Sequence, residues 1–99
     1  MAAYILVISP VALNDLKKIY QYGTLNWGAA QATRYLVSLK NQFWNLTEHP
    51  QLGIEREELL SAMRSLAVDS HVIFYRIIGQ KVEIARILHG RQDPQRHIK

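Results

Sequence analysis

The sequence predicts an α+β fold with an N-terminal strand, an antiparallel helical hairpin and then a three-stranded antiparallel meander. Three observations predict it. The opening run "YILVI" is β-branched and aromatic. Two apolar stripes at helical spacing follow it. The second half then carries "RSLAV", "HVIFYRII" and "VEIARIL", parted only by short turn signals.

The first strand covers Tyr4 to Ile8 and is bounded by Ser9-Pro10. Ser9 suits an N-cap and Pro10 the first helical position, where its missing N–H would be unpaired anyway. Ala12, Leu16, Ile19 and Tyr20 continue at helical spacing, and Gly23 is expected to end the helix, leaving "GTLNWG" as a turn. Ala32, Leu36, Leu39, Phe43 and Leu46 form the stripe of a second helix of about 20 residues. His49-Pro50 stops it, because the residue before proline is pushed out of the helical region. A short turn between two such helices makes an antiparallel hairpin. "QLGIEREELLSAM" reads as a connector with at most a helical turn. Asp69-Ser70 and Gly79-Gln80 are the tight turns of the meander. In its last strand the alternation Val82, Ile84, Arg86, Leu88 sets an arginine among aliphatics, so Arg86 either lies on a polar concave face or marks a break in register.

The 99 residues are expected to form one domain, 1–99, with a radius of gyration of about 13 Å. With no cysteine, disulfides, thiol catalysis and thiolate metal sites are excluded. The apolar run at the start is too short for a signal peptide, and no stretch approaches the roughly 20 apolar residues of a membrane span, so a soluble protein is expected, and the lack of cysteine fits a cytosol. The net charge is +4 and the pI about 9.6. Arg86, Arg91, Arg96 and Lys99 against Asp93 place most of that charge in the last seventh of the chain. Acidic partners follow from such a tail. Direct sequence-specific DNA binding does not, because Gln31 to Glu48 carries only Arg34 and Lys40 as cations and spends its stripe on packing. His49 and His71 have no ligand spacing, so neither a metal nor another cofactor is expected.

Several segments together, "SPVALNDLKKIYQY", "FWNLTEHPQLG", "MRSLAV", "VIFYRI" and "VEIARILHGRQD", resemble the RelE/ParE superfamily of toxin-antitoxin toxins over nearly the full length, and its ParE branch more closely. The resemblance implies the RelE/ParE-like fold and a small cytoplasmic toxin. It also implies neutralisation by a cognate ParD-like antitoxin, whose C-terminal segment folds over the toxin in a hetero-oligomer. RelE-like toxins cleave messenger RNA in the ribosome, whereas ParE-like toxins act against DNA gyrase.

Cleaving RNA through its 2′-hydroxyl needs a base, cations for the phosphorane and an acid for the leaving oxygen. The residues that could supply them are Arg64, Arg86, His89 and Arg91, with His97 and Glu57 or Glu58 in reserve. Against this, no tyrosine follows Tyr75, and "HGRQDP" inserts a glycine and a proline where a rigid catalytic platform is wanted. This departure favours the ParE branch of the resemblance, which implies gyrase as the expected target, met by protein contact through Arg86, His89, Arg91 and Arg96. Arg64 and Arg76 are expected to pair with carboxylates or carbonyls, Trp27 and Trp44 to pack, and Gly90 either to turn the chain at positive φ or to serve binding with His89.

Overall fold

The computed structural model describes residues 3–98. Met1, Ala2 and Lys99 lie outside them, and with them the very start of the chain and the last cation of the basic tail. The first strand is β1 (Ile5–Ile8), followed by helices α1 (Pro10–Trp27) and α2 (Ala29–Glu48). Strands β2 (Ile54–Glu55), β3 (Met63–Val68), β4 (His71–Ile78) and β5 (Lys81–His89) come next, and a last turn of helix, α3 (Pro94–His97), ends the chain. The strands make one sheet in the order β1-β5-β4-β3-β2, with β1 parallel to β5 and every other pair antiparallel. The radius of gyration is 13.3 Å, close to the expectation from length.

Ser9 caps α1 as expected: its Oγ accepts from the Ala12 N–H at 3.0 Å, and its own hydroxyl donates to the Ala85 carbonyl at 2.9 Å. One side chain thus starts the helix and ties it to the sheet. Gly23 does not end α1. It is buried where the two helices meet, and a Cβ there would sit 3.1 Å from that of Ala32. The helical cost of glycine is accepted for that close approach. The break falls at Gly28, whose φ of 89° few other residues adopt, and which serves as C-cap of α1 and N-cap of α2 at once. α2 ends at Glu48, beside the predicted His49-Pro50 stop.

The helices cover one face of the sheet. Ala12, Leu16, Leu39, Phe43 and Leu46 pack there on Ile73, Tyr75, Val82, Ile84 and Ile87. A second cluster, Met63, Phe74, Leu88 and Ile98, covers part of the other face. The connector contains the two-residue strand β2, too short to leave a periodicity in sequence. It is held by Tyr75, whose hydroxyl donates to the Pro50 carbonyl at 2.6 Å and accepts from the Gly53 N–H at 2.8 Å. The register break suggested by Arg86 is real. Phe74 faces Arg86 but Tyr75 faces Ile84, leaving Ala85 as an extra residue in β5. Beyond this bulge Ile87 joins Val82 and Ile84 under the helices, while Arg86 shares the other face with Phe74.

Tyr75→Phe should destabilise the fold by about 1–3 kcal/mol, since it leaves the buried Gly53 N–H without a partner. Urea unfolding measures this, and a loss below the error of the extrapolation would contradict the role given to the hydroxyl.

Candidate functional site

The C-terminal surface begins where β1 runs out. β1 pairs with β5 only as far as Ile8 opposite Ile84, so the next stretch of the β5 edge needs other partners. Ser9 takes the first of them, with its N–H on the Ile84 carbonyl at 3.0 Å and its Oγ on Ala85. Asp15, one turn into α1, takes the next: its Oδ2 accepts from the Ile87 N–H at 2.9 Å. The same carboxylate receives Arg86 in fork geometry, Nε on Oδ2 at 2.9 Å and Nη2 on Oδ1 at 3.0 Å. Asp15 is only 7% exposed. Its hydrogen bonds hold the Arg86 guanidinium even more firmly protonated than usual.

Arg86 reaches the tail as well, donating from Nη1 to the His97 carbonyl at 3.0 Å. Between these anchors the chain turns through a bonded loop. The Gly90 N–H donates to the Ser70 carbonyl, the Arg91 N–H to His89 Nδ1, and the Gln92 amide oxygen accepts from the His89 N–H. Asp93 then caps α3, with Pro94 as its first residue. The glycine and proline expected to loosen this segment instead fit a defined turn and a helix start. Gly90 does not need positive φ, which among the described glycines belongs to Gly28 and Gly79. Ile98 closes the segment by burying itself beside Met63, Phe74 and Leu88. His89, Arg91, Arg96 and His97 remain exposed along this pinned tail.

The residues proposed from sequence therefore separate into two groups. Arg86 is committed within the fold, and so is Arg64, whose Nη1 donates to the Gly53 carbonyl at 2.7 Å, beside Glu55. Arg64 lies two strands from β5 and toward the opposite end of the meander from His89. The set Arg64, Arg86, His89 and Arg91 is not drawn into one site. Glu57 accepts from the Ala62 N–H and Glu58 pairs with Arg56, so both brace the turn before β3. Arg76 pairs with Glu83, as expected of a strand arginine. Among the described residues, no three His, Asp or Glu side chains are placed to hold a metal, and no helix is long and apolar enough to cross a membrane.

Two features escaped the sequence. Asp15 falls on the same stripe as Ala12, Leu16 and Ile19, and an acid on a buried stripe signals a buried partner. His71 and His89 are direct cross-strand partners, with ring centroids 5.3 Å apart. On the other side of His71, Nδ1 meets the Tyr35 hydroxyl. Burial, and next the neighbouring His89, push His71 below its ordinary pKa of 6.5. Trp27 packs against Tyr22 and Tyr35 as expected, although 47% of it stays exposed, whereas Trp44 is 60% exposed.

The fold is one known from toxin-antitoxin complexes. The solved structure of a chromosomal ParDE system from P. aeruginosa matches with a TM-score of 0.78 at 21% identity, over 88% of this chain and 96% of that one. The toxin-antitoxin complex RelBE2 from Mycobacterium tuberculosis matches at 0.65, also at 21% identity, over 89% and 99%. The family model for the ParE toxin of the type II toxin-antitoxin system parDE matches residues 6–94, and the chain belongs to that family. Toxin ParE1 of Caulobacter vibrioides is 37% identical across 92% of this chain and 94% of its own length. Toxin ParE of Escherichia coli is 33% identical across 94% and 89%.

The lowered His71 pKa gives a pH dependence of stability. The unfolded chain takes up a proton near pH 6.5 while the folded chain resists until a lower pH, so this contribution is whole above about 6.5 and is lost as pH falls through the folded value. Thermal unfolding between about pH 7.5 and 5 should show a smaller loss for His71→Gln than for the parent. Equal slopes would contradict the assignment.

Proposed function

We propose that this ParE-family toxin inhibits DNA gyrase by direct protein contact and so blocks replication, performing no chemistry of its own. What supports this reading is the division among its arginines. Arg91 and Arg96 stand free on an exposed, pinned tail beside His89, while Arg64 and Arg86, which phosphoryl chemistry would need, are spent on internal acceptors. A ribonuclease site has to gather its cations around one phosphate. A docking surface needs only an array of them facing outward. In this reading Arg86 is a positioning residue, and Arg91, Arg96 and His89 make the contact.

The toxin acts in the cytoplasm and is held inactive by a cognate ParD-like antitoxin. We assign the antitoxin's C-terminal segment to the apolar groove along the helical hairpin and the β1 edge. Ile5, Trp44 and Leu52 are each about half exposed or more, and an open depression there is lined by Tyr4, His49, Pro50, Gln51 and Leu52. β1 is a sheet edge, open to strand addition. A segment that is disordered alone would gain order on docking.

Removing the whole tail after Leu88 is a poor test, because it also strips Ile98 from the second core cluster. Substituting Arg91→Ala with Arg96→Ala is cleaner. The double variant should need about tenfold more protein to inhibit gyrase supercoiling, a loss expected for exposed contact charges, and should bind antitoxin as the parent does. Messenger cleavage on translating ribosomes that requires His89 would replace this reading with a ribonuclease one.

A further inference from the structure

The tip of the helical hairpin and the β3–β4 turn enclose a cavity of about 130 Å³. Ile19, Tyr22 and Trp27 wall it from the helices, and Ser70, His71 and His89 from the sheet. A chain of rings sets its shape. Tyr22 meets Trp27 edge-on at 6.0 Å, Trp27 meets Tyr35 at 6.2 Å, and Tyr35 meets His71 at 5.4 Å. Such contacts hold aromatic walls in fixed orientation. Yet Tyr22 remains 62% exposed, an unusual surplus of aromatic surface on one rim.

Size limits the guest. Pockets for nucleotides and other cofactor-sized ligands run to roughly 300–1,000 Å³, so this one admits a single side chain. Its polar features suit one too. The histidines on its wall are already partly engaged, His71 Nδ1 by the Tyr35 hydroxyl and His89 Nδ1 by the Arg91 N–H, so little on this wall calls for a charged guest. No lining residue is acidic, although Asp69 adjoins in the turn, and Arg91 follows two residues after His89.

We propose that this pocket receives one large apolar side chain, aromatic or long aliphatic, from the protein that the basic tail contacts. Target recognition is then two-pointed, with a buried anchor beside exposed cations, the usual arrangement of an interface hot spot within a polar rim. The inference rests on the gyrase reading and names a second part of the same surface. Position favours the target over the antitoxin. His89 belongs to both the pocket and the tail, whereas the groove at Tyr4 and Leu52 lies at the other end of β5, roughly 25 Å away at about 3.3 Å per residue.

Ser70 is exposed, so Ser70→Leu fills the pocket mouth without removing a core group, and Tyr22→Ala removes part of its rim. Both variants are compared with the parent for inhibition of purified gyrase, antitoxin affinity and thermal midpoint. The expected result is at least a tenfold loss of gyrase inhibition in each, with antitoxin affinity and midpoint unchanged. Full inhibition by both variants overturns the pocket and leaves the gyrase reading standing. Weakened antitoxin binding with intact gyrase inhibition also overturns it, giving the pocket to the antitoxin. A parent protein that does not touch gyrase removes both readings together.

Discussion

The Asp15 carboxylate holds three parts of this molecule in one place. It satisfies the edge of β5 where β1 no longer reaches, it receives Nε and Nη2 of Arg86, and through the remaining Nη1 it extends to the His97 carbonyl in the tail. A buried acid with a single partner would be a liability, because removing an ion from water costs several kcal/mol. Three hydrogen bonds from charged and backbone donors offset that cost. The bulge at Ala85 makes the geometry possible. Without the extra residue, Arg86 would fall on the helix-covered face with Val82 and Ile84, where a guanidinium has no room.

From this junction the tail takes its character. It is neither a loose end nor a fourth strand of the meander. Turn hydrogen bonds at His89, Gly90 and Gln92, the Asp93 cap and the burial of Ile98 give it a fixed course across the second face of the sheet. Its free cations, Arg91 and Arg96, are thereby presented with little conformational freedom left in the backbone. A preorganised charged surface binds better than a floppy one because less ordering remains to be done on contact.

Much of the architecture could be read from local pattern. The Ser9-Pro10 cap, the long stripe from Ala32 to Leu46, the His49-Pro50 stop and the meander turns are all encoded within a few residues of where they act. What escaped depends on contacts far apart in the chain. Gly23 looks like a terminator until Ala32 is seen packed against it. Ile54-Glu55 becomes a strand only through its pairing with β3. The site was half legible: the basic tail was plain from charge alone, but the commitment of Arg86 required Asp15, 71 positions earlier. His71 and His89, which no spacing rule connects, become neighbours only through strand register.

The role of Asp15 is open to one direct measurement, native-state amide exchange on Asp15→Ala, Arg86→Ala and the double variant. Breaking the partly buried pair should cost about 3 kcal/mol and hasten exchange at Ile87 and from Gly90 through Ile98, and the second substitution should add little to the first. Tail amides protected as in the parent, with the two losses simply adding, would contradict the account.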